Sequence, residues 1–118
     1  VASIVANHYQ RPNSKYWRGK EAPEFPAEVL LVQDADILDH LGANAIWLAF
    51  RYGAKELCNQ EAAIQRFYQV DPPWHQESLA SLNYAASRQE LEHRLKFLEH
   101  FYIQWKREER GELTFHQN

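Results

Sequence analysis

From Leu91 to Trp105 the large apolar residues return every three or four positions, at Leu91, Leu95, Leu98, Tyr102 and Trp105. That spacing puts them on one stripe of an α-helix, whereas a strand would scatter them over both faces of a sheet. Ser87-Arg88-Gln89-Glu90 just before the stripe has the Ser-x-x-Glu spacing of a capping box, and Gly111 stands where a helix of this length would stop. No other part of the chain alternates with the period of two that a strand requires, and there are no internal repeats. The pattern predicts an all-α protein.

Earlier segments follow the same logic. Val1, Ile4, Val5 and His8 recur at helical spacing, so the chain opens inside a helix reaching about residue 9. Pro12, Gly19, Pro23 and Pro26 then mark residues 10–26 as a long loop, a length that in compact domains belongs to lids and binding segments. Pro26 followed by Glu28 signals a helix start, giving a helix over 27–40. Gly42 breaks or bends it, and residues 43–52 continue as helix to a C-terminal cap at Gly53. A short helix over 59–70 is expected to close at the Asp71-Pro72-Pro73 turn.

With 118 residues the chain fits one domain, 1–118, able to bury roughly two-thirds of the surface its unfolded form exposes. Its formal net charge is −3, and its only basic cluster, Lys106, Arg107 and Arg110, is interleaved with Glu108 and Glu109. Such a run reads as a solvated helix face, so no nucleic-acid partner is expected. One cysteine, Cys58, excludes an intrachain disulfide and a Cys-rich zinc site; it reads as a small apolar filler. No segment approaches the ~20 apolar residues of a membrane span, and no signal peptide opens the chain, so a cytoplasmic, membrane-free protein is expected. Because Val1 falls inside a helix and the chain contains no Met, it is expected to be a piece of a longer polypeptide.

Chemistry concentrates in the helix over 27–40, where Asp34, Asp36 and Asp39 interrupt an otherwise apolar series. Asp36 shares a helix face with Val29, Val32 and His40. A carboxylate against a partly buried surface is costly unless it is paired, hydrogen-bonded or bound to metal. Ordinary pairing with Arg or Lys and metal ligation both answer that requirement.

The run Val32-Gln33-Asp34-Ala35-Asp36-Ile37-Leu38-Asp39-His40 resembles the last-ligand helix of the HD superfamily of metal-dependent phosphohydrolases, through its Ala35-Asp36-Ile37-Leu38 segment. The likeness extends to residues 42–53, to Phe67-Tyr68 and to Phe97-Leu98-x-x-Phe101, over about 90 residues of the C-terminal half of small bacterial HD proteins. It implies a helical bundle of the HD type lacking its N-terminal helices, with Asp36 as the metal ligand and Asp34 and Asp39 not ligands. It also implies a divalent metal ion, and a nucleotide or other small phosphate ester as substrate.

The His-Asp pair of that family is absent, since none of His8, His40, His75, His93, His100 and His116 is followed by Asp. A complete metal site is therefore not expected from this chain, and no catalytic residue is assigned. His8 is a candidate contact to substrate phosphate or a second metal, with an ordinary helix-end histidine as the alternative, and His40 is a candidate to orient Asp36, at a one-turn spacing that also arises by chance. Lys15, Tyr16, Trp17, Arg18 and Lys20 in the long loop suit phosphate and base binding, or a solvated loop. His93 and His100 are expected to be exposed. A noncatalytic helical module derived from an HD domain stands as the alternative function, and homo-oligomerisation is left open.

Overall fold

The computed structural model describes residues 1–8, 10, 24–56, 59–69 and 71–112. Six helices follow one another, and among the described residues there is no strand: α1 Ala2–Asn7, α2 Ala27–Asp39, α3 Ala43–Lys55, α4 Gln60–Gln69, α5 Asp71–Ser81 and α6 Ala85–Glu109. The all-α bundle that the spacing predicts is what forms. Most of the 10–26 loop, with Lys15, Tyr16, Trp17, Arg18 and Lys20, lies outside the described residues. So do Cys58, His116 and the side chains of Phe67 and Tyr68.

The core is built around α6. Leu91, Leu98 and Tyr102 are buried on its inner stripe, with Leu95 and Trp105 packed partly against them. They meet Ile37 of α2, Leu41 in the α2–α3 turn and Leu82 between α5 and α6. Helix α6 touches α2, α3, α4 and α5, while α1 packs on α2. His93 and His100 sit on the exposed side, as their positions off the stripe require.

Three local expectations change. Ser87 lies inside α6, which starts at Ala85 with Tyr84 at its N-cap, so the Ser87–Glu90 spacing is not a cap; Glu90 instead pairs with Arg94 one turn on, Nε to Oε1 at 2.6 Å. Gly53 is interior to α3, which runs on to Lys55. Helix α4 stops at Gln69 as expected, but the Asp71-Pro72-Pro73 segment that follows is the first turn of α5. Prolines are tolerated in a first turn because the N–H groups they lack have no partner there.

Where α2 gives way to α3, Gly42 has φ +84°, a left-handed conformation open to glycine at little cost. Beyond α6, Gly111 at φ +68° completes a Schellman ending: its N–H bonds to the Glu108 carbonyl at 2.9 Å, and the Glu112 N–H bonds to the Arg107 carbonyl at 2.9 Å.

Candidate functional site

The carboxylates of α2 separate by burial. Asp34 is 1% exposed and Gln33 beside it is fully buried. Asp34 Oδ1 accepts from the Asn83 backbone N–H at 2.8 Å and from Asn83 Nδ2 at 3.0 Å, while Oδ2 accepts from the Tyr84 N–H at 3.0 Å. Its negative charge thus stands at the N-terminus of the longest helix, where the helix dipole favours it. Gln33 extends the network, accepting from Asn83 Nδ2 at 3.1 Å and donating through Nε2 to the carbonyls of Asn7 at 3.0 Å and Gln10 at 2.7 Å. The Gln33–Asp34–Asn83 node joins α1, α2 and the entry to α6.

Asp36 points elsewhere, with its side chain 25% exposed. His40 Nδ1 donates to the Asp36 carbonyl at 2.7 Å and stands 3.7 Å from Asp36 Oδ1. A carbonyl can only accept, so Nδ1 of His40 is the donor in this contact. His8 closes α1, donating from Nδ1 to the Val5 carbonyl at 2.6 Å. Among the described residues no group of three or more His, Cys, Asp and Glu side chains could hold a metal ion. The described residues therefore do not assemble a divalent-ion site around Asp36, and no chemical step is derived through one.

A cleft of about 1020 Å³ is walled by α3, α4, α5 and α6, with His40 at its α2 edge. Neither Asp36 nor His8 is among the residues that line it. Leu48, Ala45 and Leu98 supply apolar wall, and Tyr52, Trp74 and Tyr102 supply aromatic surface. Its described ionic residues are Arg51, Lys55 and Arg66 against the single carboxylate Asp71, with His40 and His75 as titratable neighbours. On a chain whose formal net charge is −3, this is a local reversal of sign.

The cleft residues constrain one another. Arg66 holds its guanidinium 4.6 Å from the centre of the Tyr52 ring, a cation–π arrangement, and its Nε lies 3.9 Å from Asp71 Oδ1. Asp71 and His75 are one turn apart on α5, both half-buried, and the Trp74 and His75 rings are 5.8 Å apart. Burial raises the Asp71 carboxyl above its ordinary pKa, with His75 and Arg66 opposing the rise. Burial lowers the His75 imidazole below its ordinary value, with Asp71 opposing the fall. Tyr102 is raised by burial and, secondarily, by the Asp71 charge. Functional sites often gather several such displaced groups in one concavity, as structural ion-pair networks also can.

Of the described residues proposed from sequence as metal, substrate or Asp36 contacts, His40 alone lines this cleft. Asp71 and His75 were missed because their four-residue spacing has meaning only on a helix, and the Pro72-Pro73 pair reads as a turn. Arg51, Lys55 and Arg66 are isolated in sequence and become a group when α3 and α4 fold against α5 and α6. Comparison of the chain with protein-family models, with curated proteins and with solved structures finds no match. No helix among the described residues is long and apolar enough to cross a membrane.

Proposed function

We propose that this chain binds a small phosphorylated molecule, a nucleotide or another phosphate ester, in the cleft between α3, α4, α5 and α6. The reading rests on the concentration of Arg51, Lys55 and Arg66 against one carboxylate in an apolar-walled concavity. Guanidinium groups match phosphate oxygens in geometry and stay charged across the working pH range. Tyr52 and Trp74 offer flat surface for a base. This is the behaviour of a ligand-binding helical module.

The test is an amide-resonance titration of the ¹⁵N-labelled chain with adenosine monophosphate and with inorganic phosphate. Resonances of the cleft residues should move, and Arg66→Ala or the Arg51→Ala/Lys55→Ala pair should each weaken binding by about tenfold, equivalent to ~1.4 kcal/mol. Cleft resonances unmoved by either ligand would sink the reading.

A second reading, a metal-dependent phosphohydrolase of the HD type with Asp36 as a ligand, draws on the resemblance of the Ala35–Leu38 segment. It is favoured by one contact: His40 both holds the Asp36 carbonyl and lines the cleft. Metal content and phosphatase activity should then both fall in Asp36→Ala. Unchanged metal binding in that variant rules this reading out.

A further inference from the structure

Arg66 and His75 approach the cleft from different helices, α4 and α5, and Asp71 stands between them in sequence and in charge. Asp71 attracts Arg66 across 3.9 Å, beyond hydrogen-bond length, and the Tyr52 ring supports the same guanidinium at 4.6 Å. Asp71 also lies one turn before His75, close enough for its charge to act on the imidazole. One carboxylate thus acts on both a permanent cation and a switchable one in the same half-enclosed space.

We infer that Arg66 and His75 form the phosphate end of the cleft, and that His75 takes up a proton from solvent when a phosphate monoester binds. The inference rests on the reading of the cleft as a phosphate-ester site and assigns the part of the ligand that enters first. With both histidines neutral, the described ionic groups of the cleft are three cations and one carboxylate. That excess attracts a doubly charged phosphate monoester more strongly than a singly charged diester. A tetrahedral dianion also offers oxygens enough to accept from Arg66 and His75 together.

The sign of the linkage follows from the surroundings of His75. The charged and titratable groups lining the cleft with it are His40 at the end of α2, Arg51 and Lys55 of α3, Arg66 of α4, Asp71 of α5 and Tyr102 of α6. In the empty cleft burial favours the neutral imidazole, and the Asp71 charge opposes it. Burial keeps the His75 pKa under its ordinary value. An arriving dianion reverses the balance and stabilises the imidazolium. Binding therefore tightens as pH falls through the window between the liganded and empty His75 pKa values, and by reciprocity the ligand raises that pKa.

Inorganic sulfate is the probe, because it remains doubly charged where phosphate itself titrates. Amide titrations of the full chain at constant ionic strength should give sulfate binding at least about fivefold tighter at about pH 5.5 than at about pH 8. His75→Gln should remove that difference between the two pH values. In the unsubstituted chain the His75 ring proton resonance should titrate at higher pH with sulfate than without, a readout independent of whether any variant folds. A pH difference that survives His75→Gln, or vanishes in His40→Gln instead, overturns the inference and leaves the binding site standing. A His75 titration that sulfate does not move also overturns it. If neither sulfate nor adenosine monophosphate shifts the cleft resonances, this inference and the proposed function fall together.

Discussion

Asp34 and Asp36 are two positions apart, which on a helix turns their side chains by about 200°. One carboxylate therefore faces the protein and the other its edge. Asp34 has backbone and side-chain donors from Asn83 and Tyr84 around both oxygens, so its removal strands buried N–H groups at the start of α6. Asp34→Ala should cost about 3 kcal/mol, since hydrogen bonds to a charged group and the loss of their buried partner both count. Asp36→Ala should cost under about 1 kcal/mol, the range of partly exposed pairs. Urea midpoints at unchanged slope measure both. A larger loss for Asp36 would mean that the buried node is not what orients α6.

At the scale of elements, helix ends decide where the cleft walls stand. The α2–α3 turn is set by Gly42, where an added Cβ would meet Arg94 side-chain carbons at 3.1–3.2 Å in addition to the strain of φ +84°. Arg94 cannot simply withdraw, because its Nη1 donates to the Leu38 carbonyl at 2.6 Å and its Nε to Glu90. Gly111 has a similar φ of +68° with nothing within 4 Å of the same added atom. The pair separates backbone strain from crowding. Gly111→Ala should cost about 1 kcal/mol and Gly42→Ala about 2 kcal/mol or more, read from thermal unfolding. Equal losses would show that Arg94 yields without penalty. The first turn of α5 has a matching lesson, since Pro72 and Pro73 begin a helix that carries Asp71 and His75 to the cleft.

Across the whole molecule, α6 serves the core and the cleft at once. Leu98 and Tyr102 are buried in the core cluster and also line the cleft, while Leu91 belongs to the core alone. Leu91→Ala should lose about 3 kcal/mol, a large part of the ~5–15 kcal/mol expected of a domain, with ligand affinity unchanged where the protein remains folded. Leu98→Ala should lose a similar amount and alter affinity as well. Chemical denaturation combined with the phosphate titration distinguishes the two. Parallel effects on affinity would mean that the cleft depends on overall stability and not on its lining.

The linear order of residues determined the all-α class, the stripe from Leu91 to Trp105, the helix beginning at Ala27 and the stop at Gly111. Those features depend on period, proline and glycine, which act over a turn or two of chain. It also marked the α2 aspartates as needing a reason for their place among apolar residues. Tertiary structure decided which reason applies at Asp34, because its partners Asn83 and Tyr84 are about fifty residues away, at separations of 49 and 50. It likewise decided where α6 begins, with a carboxylate from another helix at the N-terminus where Ser87 and Glu90 had suggested a local cap. The cleft was beyond local reading for the same reason: Arg51, Lys55, Arg66, Asp71 and His75 become one electrostatic neighbourhood only when α3, α4, α5 and α6 pack together.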